Sequence, residues 1–161
     1  MTTYFVTGAA GFIGSNFVKY ILKKHGNDVH IVILDALTYA GNLMTIKDEI
    51  QLPNVEFVKG DIGDRALVES ILQSHDIDFI VNFAAESHVD RSITNPRLFL
   101  ETNILGTQSM LDAARKAWFT GNDEHGHPTY KPGKKYLQIS TDEVYGSLEK
   151  DFDAPQPLPI T

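Results

Sequence analysis

The feature that most constrains the fold is a set of three glycines, spaced three residues apart, near the start of the chain. The run reads Gly8-Ala9-Ala10-Gly11-Phe12-Ile13-Gly14. It follows a short apolar segment, Tyr4-Phe5-Val6-Thr7. After it, apolar residues recur at helical spacing at Ile13, Phe17, Val18, Ile21 and Leu22. A strand, a glycine turn and an amphipathic helix in that order predict the opening of a parallel α/β sheet.

The alternation of strand and helix continues along the chain. Further apolar strands are predicted at 30–35, 55–58, 79–83 and 136–139. Asp64 is placed to cap a helix with the apolar face Leu67, Val68, Ile71 and Leu72, and a longer helix is predicted over about 96–117. Residues 120–135 are expected to form a polar loop. The pattern predicts a Rossmann-type parallel sheet with helices on both faces, in one domain over 1–161.

Each glycine has a physical role in binding a dinucleotide. Gly8 permits a tight turn, Gly11 lets the backbone approach a pyrophosphate, and Gly14 allows the helix to pack closely on the strand. The phosphates then lie at the positive end of the helix dipole. A plain glycine turn is the alternative interpretation.

Two carboxylates after later strands extend this prediction. Asp35 ends the second strand, where it can accept hydrogen bonds from both ribose hydroxyls and repel a 2′-phosphate, which favours NAD over NADP. Asp61 and Ile62 follow the third strand and are placed to border the adenine. A turn-initiating role for Asp35 and a helix-entry turn at 61–62 stay open as alternatives.

Two further segments are predicted to lie at the same edge of the sheet. Ala84-Ala85-Glu86-Ser87-His88 follows the fourth strand, where small alanines leave room for a nicotinamide ribose and Ser87 can donate to a sugar or phosphate oxygen. Ser140-Thr141-Asp142-Glu143 follows the fifth. Its hydroxyl and diverging carboxylates suit acid-base chemistry, in which one protonates a leaving hydroxyl and the other removes a proton from carbon. Helix capping is the alternative.

Four polar side chains near these segments have open roles. Glu86, Asp90 and Arg91 are equally well explained by a solvated loop with a local ion pair. The long helix has a predicted apolar stripe formed by Phe99, Asn103, Gly106, Met110, Ala113 and Ala117. On this stripe an unpaired Asn103 amide would be unfavourable. We expect Asn103 to bond backbone, to hold a water near the site, or to make a purely structural hydrogen bond.

Composition excludes several classes of protein. The sequence has no cysteine, which excludes disulfides, thiolate metal sites and thiol catalysis and fits a cytoplasmic location. The net charge of -7 argues against non-specific binding to a nucleic-acid backbone. No apolar run approaches the roughly 20 residues that span a bilayer, and no signal-peptide pattern opens the chain. No metal site, nucleic-acid partner or membrane association is predicted.

Together these motifs resemble the extended short-chain dehydrogenase/reductase family, and within it the dehydratases that act on dTDP-glucose. Besides the glycine run, the resemblance is carried by Asp35-Ala36-Leu37-Thr38-Tyr39-Ala40-Gly41-Asn42-Leu43, Ala84-Ala85-Glu86-Ser87-His88-Val89-Asp90-Arg91-Ser92 and Ser140-Thr141-Asp142-Glu143-Val144-Tyr145-Gly146. It implies NAD as cofactor, a nucleotide-sugar substrate (dTDP-glucose) and a homodimer of the intact protein. The predicted cofactor site consists of Gly8, Gly11, Phe12, Ile13, Gly14, Asp35, Ala36, Leu37, Thr38, Asp61, Ile62, Phe83, Ala84, Ala85, Ser87 and Thr102.

The family's chemistry implies a role for each residue of the threonine segment. NAD would take a hydride from C4 of the glucose and return it to C6, so that dTDP-4-keto-6-deoxyglucose forms without net redox change. Thr141 would hold the C4 oxygen, and Ser87 would also contact substrate. Asp142 would protonate the departing C6 hydroxyl while Glu143 removes the C5 proton. The alternatives are a nucleotide-sugar 4-epimerase and a non-catalytic NAD-sensing module, neither of which needs adjacent carboxylates.

One part of the family pattern is missing from the sequence. The family places a Tyr-x-x-x-Lys pair on a helix after the fifth strand, where the lysine lowers the tyrosine pKa. Tyr130 and Lys134 have this spacing but enclose a Pro-Gly that breaks a helix, and Tyr20 and Lys24 lie about 10 Å from the phosphate-binding end of theirs. We therefore expect that residues 1–161 are an incomplete domain without the C-terminal nucleotide-sugar domain, and that this chain alone is inactive.

Overall fold

The structure, a computed structural model, describes residues 1–141 and Val144. Within this part of the chain the strands are β1 (Thr2–Thr7), β2 (Val29–Asp35), β3 (Val55–Lys59), β4 (Phe79–Asn82), β5 (Phe119–Asn122), β6 (Pro128–Tyr130) and β7 (Lys135–Gln138). The α-helices are α1 (Phe12–His25), α2 (Arg65–Ser74), α3 (Val89–Thr94), α4 (Pro96–Phe99) and α5 (Thr107–Trp118). A π-helix, Leu100–Gly106, joins α4 to α5, and short 3-10 helices span Gly26–Asp28, Leu43–Ile46 and Glu49–Gln51.

The main sheet has the strand order β3-β2-β1-β4-β7 among the described residues, and all its neighbouring strands are parallel. Thr7 pairs with Leu34 of β2 and with Asn82 of β4, and Asn82 pairs with Gln138 of β7. The carboxyl ends of these four strands therefore lie level along one edge. The strand order reverses at β1, which makes the space beside its carboxyl end the topological switch point. The predicted Rossmann-type sheet is confirmed.

The core lies on both faces of the sheet because successive strand residues point to opposite sides. On one face, Phe5, Val32 and Ile80 pack with the apolar sides of α2 and α5. On the other face, Val6 and Ile33 pack with α1. The continuous apolar runs of β1 and β2 follow from this burial on both sides.

The helices carry their predicted caps and faces. Asp64 accepts a hydrogen bond from the Leu67 amide at the start of α2, as expected of an N-cap. The long helix predicted over 96–117 is interrupted by the π-helix, yet no residue of its predicted stripe is exposed: Phe99, Asn103, Gly106, Met110, Ala113 and Ala117. A β-carbon on Gly106 would lie 2.8 Å from the Ile62 side chain, so the helix approaches the loop after β3 closely here. Across the described residues, no helix is both long enough and apolar enough to cross a membrane.

The prediction of a polar loop over 120–135 is wrong in part. β5 and β6 form an antiparallel hairpin within it, in which Phe119 pairs with Tyr130 and their rings meet edge to face at 6.3 Å. The Asp123 carboxylate accepts hydrogen bonds from the amides of His125 and His127 and so closes the turn. The polar composition of the segment concealed the strands because the hairpin has little apolar surface to bury.

We expect Met110→Ala to destabilise this chain by about 2 to 5 kcal/mol, because the Met110 side chain is fully buried between α5 and the sheet and its loss leaves a cavity. Leu111→Ala is the matched control, since Leu111 is 47% exposed on the same helix. Urea unfolding measures both free energies of unfolding. Equal effects of the two substitutions would contradict the packing described here.

Candidate active site

A cleft of about 960 Å³ runs along the carboxyl edge of the sheet. Its walls come from the glycine turn after β1, the loop after β2, the loop after β4 and the segment after β7. The middle of the helical segment that begins at Pro96 closes one side through Thr102 and Asn103. The cleft therefore occupies the switch point, which is where open α/β sheets bind their ligands.

The glycine turn holds three pieces of backbone close together. Gly8 has φ +68°, in the left-handed region, and a β-carbon there would lie 2.6 Å from the Ala84 nitrogen. A β-carbon on Gly14 would overlap the Gly8 carbonyl oxygen and lie 2.9 Å from the Ala9 α-carbon. These positions accept no side chain, because the turn touches both the loop after β4 and the first turn of α1. The predicted roles of Gly8 and Gly14 in turn and packing geometry are confirmed.

The first turn of α1 lines the cleft and carries no acidic side chain of its own. The N-cap, Gly11, has no side chain to bond the first amides, and the first turn of this helix contains no acidic residue. The first intrahelical bond runs from the Ser15 amide to the Gly11 carbonyl. The preceding amides point along the helix axis, as at any helix start, and carry its positive partial charge. This end of α1 is electrostatically suited to a phosphate.

Asp35, at the end of β2, lines the cleft and holds the neighbouring backbone in place. It is 7% exposed, and its two carboxylate oxygens accept hydrogen bonds from the amides of Ala10 and Leu37, each at 2.8 Å. The bond to Leu37 is the turn-forming contact that the alternative interpretation of Asp35 predicted. An ionised carboxylate has about four acceptor positions, so two remain for other donors.

The loop after β4 is held by the helical wall. The Asn103 side chain accepts a hydrogen bond from the Glu86 amide and donates one to the Glu86 carbonyl, both at 2.8 Å. Of the roles considered for Asn103, bonding to backbone is therefore confirmed. The Glu86 side chain is 5% exposed and lines the cleft.

A row of polar side chains connects the strands beneath the cleft. The Thr7 hydroxyl donates to the side-chain Oδ1 oxygen of Asn82, and the side-chain Nδ2 of Asn82 donates to the Gln138 Oε1 oxygen at 2.8 Å. The Tyr136 hydroxyl donates to the same Gln138 oxygen at 2.9 Å, and burial raises the pKa of Tyr136 to about 12. Tyr136 therefore stays neutral at physiological pH and serves as a hydrogen-bond donor. The row joins β1, β4 and β7 at their carboxyl ends, where Gln138 also lines the cleft.

Most predicted site residues lie together in the cleft. Its lining includes Gly8, Gly11, Phe12, Ile13, Gly14, Asp35, Ala36, Thr38, Asp61, Ile62, Phe83, Ala84, Ala85, Ser87, Thr102 and Thr141. Leu37 is the exception: its φ is +53°, and its side chain packs against the core beside α1 instead of lining the cleft. Asp142 and Glu143 lie outside the described residues.

Several residues that line the cleft were not among the predicted site residues. Glu86, Asn103 and Ser140 were placed near the site without a binding role. The others are Leu34, Ala40, Gly41, Gly60, Val89, Ser92, Leu98, Phe99, Thr107, Gln138, Ile139 and Val144. Gln138 carried a usable signal, because a polar residue at the end of a buried strand needs a partner. Ala40 and Gly41 lie in a segment that carries the family resemblance, but their small side chains gave no chemical signal of a binding role.

The two tyrosine-lysine pairs with the family spacing lie elsewhere. The Lys134 amine, at the amino end of β7, contacts the carboxylates of Asp76 and Asp78 at 2.8 and 2.9 Å. Burial lowers the pKa of Lys134, but these two bonds outweigh burial and the pKa is raised. The Lys24 amine lies over the Tyr20 ring at 5.7 Å, on α1. Neither lysine lines the cleft.

Comparison with known proteins identifies the family. Residues 5–157 match the family model described as GDP-mannose 4,6 dehydratase. The chain belongs to this family. Its curated relatives include the dTDP-glucose 4,6-dehydratase of Xanthomonas campestris pv. campestris strain B100, with 50% identity over 148 residues. That match covers 92% of this chain and 40% of the relative, so the chain spans well under half the relative's length.

Solved structures of dehydratases have the same fold. The dTDP-glucose 4,6-dehydratase of Bacillus anthracis, in complex with NAD, is 40% identical with a TM-score of 0.75, covering all of this chain and 44% of that one. The enzyme of Streptomyces venezuelae, also with NAD bound, is 42% identical with a TM-score of 0.76, covering 93% and 42%. The resemblance drawn from the sequence motifs is therefore confirmed.

We expect Asn103→Leu to destabilise the chain by about 1 to 3 kcal/mol, because it leaves the Glu86 amide and carbonyl without the partners they have here. Gln108→Leu is the matched control, an exposed amide on α5 for which we expect a change below about 0.5 kcal/mol. Urea unfolding measures both. A neutral Asn103→Leu would show that the two hydrogen bonds do not hold the loop.

Proposed function

We propose that this chain binds NAD and forms part of the active site of a dehydratase that acts on dTDP-glucose. One observation carries the proposal: the glycine turn, Asp35 and Thr141 line the same cleft. A dinucleotide motif and a hydroxyl at the end of β7 therefore border one continuous space. Family membership and relatives named dTDP-glucose 4,6-dehydratase support the assignment.

The residues of the cleft fit NAD. The uncapped first turn of α1 suits the pyrophosphate, and the remaining acceptor positions of Asp35 suit the two ribose hydroxyls. A 2′-phosphate in that place would meet the carboxylate charge, which favours NAD over NADP. When bound, NAD supplies a hydride acceptor and donor for the sugar. Phe12, Ile13, Ala36, Thr38, Asp61, Ile62, Phe83, Ala84, Ala85, Ser87 and Thr102 are proposed to line the bound cofactor.

The proposed reaction is loss of water from the sugar, giving dTDP-4-keto-6-deoxyglucose. Thr141 would donate a hydrogen bond to the C4 oxygen, and Ser87 would contact the same substrate. Glu143 would remove the C5 proton as general base, and Asp142 would protonate the C6 hydroxyl as it leaves. The roles of Thr141, Asp142 and Glu143 come from the family resemblance.

The proposal extends to the intact protein. We propose that this chain is the N-terminal, NAD-binding part of a longer dehydratase whose later residues recognise the nucleotide sugar. A tyrosine-lysine pair from those residues would start the redox half of the reaction. A homodimer and a cytoplasmic location are predictions from the resemblance and from the cysteine-free sequence, respectively.

Turnover of dTDP-glucose by the intact protein tests the proposal. We expect a 4-keto-6-deoxy product, and we expect Glu143→Gln and Asp142→Asn each to lower kcat by about 10²-fold or more with NAD affinity nearly unchanged. Glu124→Gln, on a side chain 86% exposed at the hairpin, is the control.

Two outcomes would contradict the proposal. Interconversion of C4 epimers without loss of water would identify an epimerase. Loss of NAD binding in either carboxylate variant would show that the residue serves the cofactor and not the elimination.

A further inference from the structure

Two loops at the mouth of the cleft meet through a cation-π contact. The guanidinium carbon of Arg91, in α3, lies 4.0 Å from the centroid of the Tyr39 ring, which follows β2. The His88 ring meets the same tyrosine edge to face at 6.3 Å. Neither Tyr39 nor Arg91 lines the cleft itself. Their contact joins the loops after β2 and β4 outside the lining of the cleft.

The tyrosine is presented by a fixed turn. The Gly41 amide donates to the Thr38 carbonyl at 3.1 Å, which closes a turn around Tyr39. The next amide, of Asn42, donates to the Ala10 carbonyl at 3.1 Å and so ties the loop to the glycine turn. The ring therefore has a defined position relative to the cleft, although its side chain is 51% exposed.

The arginine is anchored from below by a buried carboxylate. An Arg91 guanidinium nitrogen lies 3.9 Å from the Glu86 Oε2 oxygen, and that side chain is 5% exposed. In the part of the chain that the structure describes, this oxygen has no hydrogen-bond partner. The backbone of Glu86 is in turn held by Asn103. Because the Glu86 carboxylate is buried, it is favourable for the positively charged Arg91 guanidinium to stay beside it.

Sheet topology places the two partners on either side of the glycine turn. β1 lies between β2 and β4, so the loops after β2 and β4 flank the carboxyl end of β1 and their contact spans it. Both partners are on the outside, with the Arg91 side chain 42% exposed. Thr38 and Gly41 on one side and Ser87 on the other line the cleft beneath. A molecule extended along the edge of the sheet would lie between the glycine turn and this bridge.

We propose that the contact between Tyr39 and Arg91 is a gate that retains NAD in the cleft. The inference rests on the proposed function, because it requires NAD to bind along the edge of the sheet. A dehydration without net redox change benefits from such retention, because the cofactor that takes up the hydride must stay bound until it returns the hydride to the sugar. Tyr39 and Arg91 act here as positioning residues and take no part in the chemistry.

A gate has a kinetic signature that a simple contact residue lacks. Entry and exit both require the bridge to open, so its removal accelerates association and dissociation by the same factor and leaves Kd unchanged. A side chain that only touches bound cofactor changes dissociation alone. The two rate constants therefore separate the two roles.

Stopped-flow fluorescence with NADH as the probe measures both rate constants on the full chain. We expect Tyr39→Ala and Arg91→Ala each to raise both by about fivefold, the factor that corresponds to one exposed cation-π contact. Tyr39→Phe keeps the ring and should behave as the wild type. The double variant should add nothing to either single variant, because the partners share one contact.

Tyr20→Ala is the matched control. It removes the ring of the Lys24 cation-π contact on α1, and neither residue lines the cleft. Both rate constants should stay at their wild-type values. The unfolding midpoint of every variant confirms that it is folded.

The outcomes distinguish the gate from the proposed function. If the wild type does not bind NADH, the proposed function fails and the gate fails with it. If the wild type binds and the Tyr39→Ala rate constants are unchanged, only the gate is overturned. A rise in dissociation alone, with a matching rise in Kd, also overturns the gate and assigns the ring to direct contact.

Discussion

The close backbone packing at Gly8 is the constraint on which the site depends. The turn after β1 lies so near the loop after β4 that a single β-carbon would overlap it, and Gly14 brings α1 against the same turn. Because side chains are absent at these two positions, a helix start, a strand end and a second loop meet at one point of the sheet edge. The cleft exists because that edge is left open above the turn.

Electrostatics reinforce this geometry. The uncapped start of α1 supplies positive partial charge, and the Asp35 carboxylate lies on the same edge, bonded to the Ala10 amide of the glycine turn. Asp35 also joins the glycine turn to the β2 loop through the Ala10 and Leu37 amides. A single carboxylate thus holds two loops of the site together and keeps acceptor positions available for a ligand. The row of Thr7, Asn82 and Gln138 beneath joins the neighbouring strand ends.

Local patterns were sufficient to predict much of this arrangement. The strands of the main sheet, the Asp64 cap and the buried stripe through Asn103 follow from periodicity and capping chemistry, which act within one element. The hairpin over Phe119–Tyr130 was missed because its stability comes from cross-strand contacts and a turn in a polar segment. The bond from Ala10 to Asp35 and the contact of Tyr39 with Arg91 depend on tertiary folding, so no spacing in the sequence encodes them.

The central claim is that the cleft holds NAD through the start of α1 and the Asp35 carboxylate. Calorimetric titration of this chain with NAD⁺ and with NADP⁺ tests it most directly. The account predicts that NAD⁺ binds and that NADP⁺ binds at least about tenfold more weakly, because the 2′-phosphate meets the charge of Asp35. Equal affinity for the two cofactors, or no binding of NAD⁺, would contradict it.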